Sequence, residues 1–350
     1  MLLGNVEAVH LPERFIRCDG QTIPFDFLIL ACGAKHSYFN HPEWEPLSPG
    51  LKTLEQATEI RRRILLAYEL AEREADPEKQ TALLTFVIVG AGPTGVEMAG
   101  AIAEISRYTL ERDFRNIRPE RTRVILVEAG PRILASFSEN LARIATRDLE
   151  ALGVQVRNAT RVTQVNEMGV RLGSEEIRAK TVIWAAGVQP SSLAKALNVP
   201  LDSVGRVLVE PDLSLKDYPH VFVLGDMAHF PTPDGRGLPG LAPVAMQQGT
   251  HAARNVLRSV TGAPRKPFHY RDKGTMATIG RKKAVAQVGR FEFSGFIAWC
   301  MWLFVHIFYL IGFKNRLFVF LDWFWAYATF KRGARLILDR EWRSNPKIPT

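Results

Sequence analysis

Three glycines carry the clearest chemistry in the chain: Gly90-x-Gly92-x-x-Gly95, followed two residues later by Glu97. A turn of this kind between a strand and a helix suits a pyrophosphate, the plainer reading being a glycine-rich turn with no ligand. The first glycine allows the tight turn, the second lets the backbone approach the phosphates, and the third lets helix and strand pack closely. The helix N-terminus adds unpaired amides and the positive end of its dipole. Glu128 ends the next apolar run, where a carboxylate accepts the ribose hydroxyls of an adenosine and repels a 2′-phosphate, so the pattern points to NADH over NADPH. Glu128 arrives later than the usual ~20 residues because the segment Arg107 to Arg123 lengthens the crossover. Each acid also has a plainer reading. Glu128 is otherwise a solvated strand-end carboxylate, and Glu97 an acid favoured by the helix dipole by a few tenths to ~1 kcal/mol.

The elements that must position these residues follow from hydrophobic pattern. Leu83 to Val89 is a near-continuous apolar, β-branched run, as in a strand buried on both faces of a parallel sheet. A helix follows through Val96, Ala99, Ile102, Ala103 and Ile105, then a second buried strand, Val124 to Val127. Further strands are expected at Val154 to Val156, Thr181 to Ala185, Val207 to Val209 and Val221 to Leu224. Upstream, Asn5 to Leu11 and Phe15 to Cys18 read as strands before a turn at Cys18 to Gln21, and Phe25 to Ala31 as a buried strand running into Gly33. Thr53 to Glu74 reads as a long linking helix. Strands alternating with helices predict a doubly wound α/β sheet.

At 350 residues the chain exceeds a single core, so more than one domain is expected. Its net charge of +9 suits a nucleic acid or an anionic membrane and does not choose between them. Cys18, Cys32 and Cys300 have no paired spacing, which leaves neither a disulfide framework nor a cysteine-rich metal site and suits a reducing, cytosol-facing setting. Residues Met1 to His10 lack the pattern of a secretory signal. From Phe291 to Phe330, Phe, Trp, Leu and Ile dominate. Phe293 to Phe313 carries no Asp, Glu, Lys or Arg, so its length permits a membrane span. Leu317 to Phe330 is broken by Asp322 and flanked by Lys314, Arg316 and the Lys331 to Arg335 cluster. Aromatic bands among basic residues favour a monotopic anchor in the interface over a span, with a dimer interface as the plainer alternative. His306 within the run reads as a packed or interfacial histidine.

Three further segments carry a family resemblance. Leu30-Ala31-Cys32-Gly33-Ala34 and Trp184-Ala185-Ala186-Gly187 resemble the strand-to-glycine crossing motif of two-dinucleotide flavoproteins. Val221-Phe222-Val223-Leu224-Gly225-Asp226 resembles their second FAD motif, whose aspartate binds the ribityl chain. With Pro239-Gly240-Leu241-Ala242-Pro243-Val244-Ala245-Met246-Gln247 and the aromatic tail, the chain resembles the type II NADH dehydrogenases, non-proton-pumping NADH:quinone oxidoreductases.

The resemblance implies an α/β fold of two Rossmann-like dinucleotide-binding domains, the NAD domain inserted into the FAD domain, with a C-terminal membrane-anchoring helical region. The expected division is a partial FAD domain at 1–52, a linking helix at 53–80, the NADH domain at 81–190, the FAD domain continued at 191–268, and C-terminal strands with the anchor at 269–350. The two dinucleotides would be held by Gly90, Gly92, Gly95, Glu128, Gly187, Gly33, Gly225, Asp226 and Ala245, the glycine turn and Glu128 on NADH and Asp226 on the ribityl chain of FAD. Glu97 and Gln247 would act catalytically, without a metal. In the family the segment matching Ala242 to Gln247 lies between isoalloxazine and quinone and often reads Ala-Gln-x-Ala-x-Gln. Here Pro243 stands at the first glutamine, so only Gln247 carries over, with Gln248 as a substitute. The implied reaction is ping-pong, with hydride passing from NADH to flavin and two electrons to a membrane quinone, at the cytoplasmic face of the inner (plasma) membrane. Implied partners are the quinone, the bilayer surface and a second copy in a homodimer, and not nucleic acid. One departure stands out: no strand-glycine-helix segment precedes Asn5, so the FAD domain is expected to be incomplete and FAD binding weak or lost. The rival readings are a pyridine nucleotide-disulfide reductase relative, which would end in a dimerisation domain, and a non-catalytic nucleotide-binding membrane protein.

Overall fold

The computed structural model describes residues 1–329, except 111, 112, 233, 234, 236 and 311, together with residue 337. The chain divides into two compact units, Tyr38–Gly187 with Gly274–Thr350, and Met1–Ser37 with Val188–Lys273.

The first of these is built on a four-stranded parallel sheet in the order Thr181–Trp184, Thr85–Val89, Arg123–Val127, Val154–Arg157. Thr85–Val89 is buried along its whole length, as its unbroken apolar run requires of a central parallel strand. One face of the sheet is covered by the helices Leu54–Arg73, Pro93–Glu104 and Glu139–Ala151, which share a core with Phe86, Ile88, Val124 and Leu126. The other face packs Val87, Val89, Ile125 and Val127 against a three-stranded meander, Val162–Asn166, Gly169–Leu172 and Glu175–Arg178, and against Tyr38 and Trp44. The long helix starts at a capping box, with Thr53 and Gln56 satisfying each other's backbone amides. Its Glu72 carboxylate accepts the amides of Arg115, Asn116 and Ile117, which pins the extended crossover that delays Glu128.

A three-stranded antiparallel sheet, Thr275–Gly280, Lys283–Val288 and Phe291–Ser294, continues this unit. It leads into the helices Gly295–Phe308 and Phe313–Thr329. The charge-free run from Phe293 is therefore not one helix. It begins in a strand and is interrupted after Phe308, with Gly312 in left-handed backbone. A helix of 14 residues covers about 21 Å, short of the ~30 Å of a bilayer core. Among the described residues no helix is long and apolar enough to cross a membrane. The basic cluster Lys331 to Arg335 lies outside the described residues.

The second unit holds an N-terminal meander, Val6–His10, Phe15–Cys18 and Gln21–Pro24, whose third strand the sequence pattern did not suggest. Among the described residues Leu28–Leu30 pairs, in parallel, with Val221–Val223 alone. The expected buried strand is thus shorter and half covered: Leu30 is 5% exposed and Ile29 is 41% exposed. Ala34–His36 pairs with Val188–Pro190, and the helix Ala242–Val260 packs its Val244 and Ala252 on Phe222 and Leu224.

Candidate functional site

A cavity of about 590 Å³ opens at the carboxyl ends of the parallel strands of the first unit. This is where open α/β sheets bind ligands. The glycine turn forms its floor. Gly90 holds φ +97°, and a Cβ there would stand 2.6 Å from the Ala186 amide nitrogen. A Cβ on Gly95 would collide with the Gly90 carbonyl oxygen, so only glycine lets the helix begin this close to the strand. Nothing lies within 4 Å of a Cβ at Gly92, which leaves open the space a pyrophosphate needs. Pro93 occupies the first helical turn, where its missing amide costs no hydrogen bond.

Glu128 lies in the wall at one end of this cavity, with Ala129 and residues 160–163. Its carboxylate is fixed: Oε2 accepts the Ala91 amide and Oε1 the Gly130 amide, each at 2.7 Å. A carboxylate has about four lone-pair sites. Two are committed here, and the other two are available to ribose hydroxyls. Gly187 lies towards the other end, with Trp184, Ala185 and Ala186.

Glu97 does not cap its helix. It turns towards the C-terminal sheet, where its Oε1 accepts the Thr278 amide at 3.2 Å. Burial pushes its carboxyl above the ordinary 4.5, opposed by that hydrogen bond and by nearby His306. The raised value follows from desolvation, which penalises the charged form. His306 donates through Nδ1–H to the Trp302 carbonyl at 2.8 Å. The imidazole also packs on the Trp302 ring, 4.2 Å between centroids.

In the second unit Gly225 and Asp226 follow the strand Val221–Val223 after the extended Leu224, in a single 3-10 turn. Small residues crowd that turn. A Cβ on Gly225 would lie 3.2 Å from the Ala245 methyl, and one on Gly240 would lie 3.0 Å from Asp226 Oδ1. Buried Gln248 accepts the Gly225 amide at 2.7 Å through Oε1. Its neighbour Gln247 points elsewhere: Nε2 donates to the Arg271 carbonyl at 3.0 Å and Oε1 accepts the Arg271 amide at 3.1 Å. Gly33 ends the strand Leu28–Leu30 side of this unit in left-handed backbone, φ +64°, with open space about it. The predicted residues thus form two sets: Gly90, Gly92, Gly95, Glu97, Glu128 and Gly187 in one unit, and Gly33, Gly225, Asp226, Ala245 and Gln247 in the other.

Residues 2–249 match the family model of pyridine nucleotide-disulphide oxidoreductases, and residues 273–330 match the NDH2 C-terminal domain. The chain is 42% identical over 357 residues to the type II NADH:quinone oxidoreductase Ndh of Mycobacterium tuberculosis, covering 97% of this chain and 76% of that one. This chain belongs to the type II NADH:quinone oxidoreductases. The match over 273–330 separates it from the disulfide reductases, whose general model covers only the first part. A more distant member of the type II family, from Staphylococcus saprophyticus, is 30% identical over 297 residues, covering 81% of this chain and 71% of that one. The fold matches the structure of NDH2 from Plasmodium falciparum in complex with NADH, with a TM-score of 0.86 at 18% identity over 97% of this chain and 85% of that one.

The family implies FAD, and the residues present fit its ribityl side. Asp226 presents a carboxylate at a strand end, and Gly225, Gly240 and Ala245 keep that surface low enough for a flat ligand. The type II enzyme also has cavity residues that sequence reading missed: Phe39, His41 and Trp44 line the wall together with Trp184. They fall in a proline-rich irregular stretch with no periodicity, and the one available signal was the density of aromatic residues from Tyr38 to Trp44.

Proposed function

We propose that this chain oxidises NADH and passes two electrons to a membrane quinone. The observation that carries the reading is the cavity, in which an open glycine turn, a helix N-terminus and a fixed Glu128 carboxylate line up along the strand ends of a family member. NADH lies with its pyrophosphate over Gly90, Gly92 and Gly95, its adenosine ribose on Glu128, and its other half towards Gly187. FAD, held at its ribityl side by Gly225, Asp226, Ala245 and Gly33, supplies the two-electron carrier between hydride donor and quinone.

Reduction of a quinone by NADH takes up one proton beyond the hydride. We assign Glu97 to the transfer of that proton: burial raises its carboxyl above the ordinary value, and the Thr278 amide keeps the carboxyl in place. Gln247 donates to a quinone oxygen with the second hydrogen of Nε2, the first being committed to Arg271.

The helices Gly295–Phe308 and Phe313–Thr329 expose Phe296, Phe304, Phe308, Phe318, Phe324 and Trp325. We assign this surface to the bilayer interface at its cytoplasmic face, as a monotopic anchor, since each large apolar side chain withdrawn from water contributes about 1.5–3 kcal/mol. A homodimer through the same surface is the competing use. The test is purified full-length chain with lipid vesicles, measuring NADH oxidation with and without a quinone and the fraction of protein that sediments with the vesicles. Quinone-dependent turnover and co-sedimentation are expected. Turnover indifferent to quinone would overturn the acceptor assignment, and protein that stays in solution as a dimer would overturn the anchor.

A further inference from the structure

Phe39 has no part in the reading above, yet three observations single it out. It lines the cavity while 59% exposed. It and Asn40 both hold left-handed backbone, at φ +50° and +70°. Such backbone is disfavoured at a residue other than glycine, and persists where the surroundings enforce it, often beside ligands. Finally, the ring lies over the backbone of Gly187: a Cβ there would stand 2.7 Å from Phe39 Cζ. Gly187 itself holds φ +72°, so a side chain at that position would be excluded twice, by backbone and by the ring.

The neighbours of Phe39 show what an ordinary packing role looks like here. Tyr38 and Trp44 are buried, with ring centroids 5.2 and 5.5 Å from that of Trp184. Phe39 touches the same indole at its margin, 6.2 Å between centroids, and presents the rest of its surface to the cavity. The two left-handed residues are what turn one ring out of a row whose other members turn in.

We propose that Phe39 seats the nicotinamide half of NADH. The inference rests on the NADH reading of the cavity, which fixes a direction. Glu128 takes the adenosine at one end and the glycine turn takes the pyrophosphate, so the remaining half runs to the end walled by Gly187 and Phe39. A flat apolar ring suits a flat neutral dihydronicotinamide, and packing there removes exposed aromatic surface from water on both partners. Phe39 acts through contact with the cofactor and takes no proton. Its contribution therefore belongs to the nicotinamide half of the molecule alone.

ADP-ribose, which lacks the nicotinamide, separates this role from a structural one. Binding of NADH and of ADP-ribose is measured by calorimetry for the full chain and for Phe39→Ala, Phe39→Leu and Phe39→Tyr, each checked by thermal melting. Phe39→Ala is expected to weaken NADH about tenfold, the scale of one lost aromatic packing contact, while ADP-ribose stays within about twofold. Phe39→Tyr restores NADH binding. Phe39→Leu, which keeps apolar volume without a flat face, falls between and serves if the alanine variant does not fold. Equal weakening of both ligands would overturn the proposal, since Phe39 would then only shape the cavity, and so would no change in either. A wild-type chain that binds neither ligand would overturn the NADH reading itself.

Discussion

Replacing Glu128 by glutamine should turn cofactor preference without remaking the cavity. The carboxylate is held by two amides at 2.7 Å, from Ala91 and Gly130. Glutamine matches its volume, but its amide oxygen accepts from only one of them and its NH₂ faces the other donor. Leaving that donor unpaired at a half-buried position costs about 1 kcal/mol, a fall in Tm of roughly 1–2 °C for a chain of this size. For NADH, hydrogen bonds from ribose to a charged acceptor become bonds to a neutral one, a loss of about 1.4 kcal/mol or tenfold in Kd. For NADPH the change has the opposite sign. A 2′-phosphate carries about −1.5 to −2 charges, and its repulsion by a carboxylate ~4 Å away in a water-filled cavity is about 2 kcal/mol, which glutamine removes. The NADH-to-NADPH affinity ratio should therefore narrow by about two orders of magnitude. Fluorescence titration of both reduced cofactors against both proteins measures it. A ratio unchanged in Glu128→Gln, with the fold intact, would refute the placement of the adenosine ribose on this carboxylate.

Glu97→Gln should lower turnover with quinone more than it weakens NADH binding, and it carries a stability signature. A carboxyl raised by burial binds its proton more tightly in the fold than in the unfolded chain, so its stabilising contribution is full below the ordinary value of 4.5 and is lost as pH rises through the raised one. The always-neutral glutamine lacks that loss, so the Tm of Glu97→Gln should gain on the wild type between pH 4 and pH 8; parallel curves would contradict the buried-acid assignment. Gly95→Ala places a methyl on the Gly90 carbonyl oxygen and should cost about 3 kcal/mol with loss of NADH binding, checked by chemical denaturation and titration. Changing Phe304 and Phe308 together to serine should cut vesicle binding by at least about a hundredfold at roughly 1.5–3 kcal/mol each, with NADH affinity unchanged.

What the sequence disclosed follows from the range over which each signal acts. The Gly90 turn was legible because strand, turn and helix are neighbours in the chain, and each glycine has a local steric reason. The orientation of Glu97 was not, because its partner Thr278 lies 181 residues on, and one helical turn looks the same whether its acid faces solvent or a distant strand. The break in the apolar tail was hidden by counting charges alone: Ser294, Gly295 and Gly312 carry none, yet they bound the short helix. The strand at Gln21–Pro24 is polar and ends in proline, so only its pairing with Phe15–Cys18 reveals it. Phe39 escaped because left-handed backbone at a phenylalanine has no sequence signature.

The fingerprint helix Pro93–Glu104 meets the strand Thr275–Gly280 along a single stripe. Glu97 takes the Thr278 amide, Gly100 lets the Ile279 carbonyl lie against the helix backbone, and Glu104 takes the Arg281 amide. The next strand of that sheet packs Ala284 and Ala286 on Ala298 and Trp299 of the helix Gly295–Phe308. Among the described residues, packed structure thus runs from the phosphate-facing end of one helix to the helix that carries the aromatic surface. An enzyme seated on a bilayer through that surface is therefore not a head on a leash, free to tumble. In that proposed anchored state the distance from the cavity to the aromatic surface is set by packed side chains.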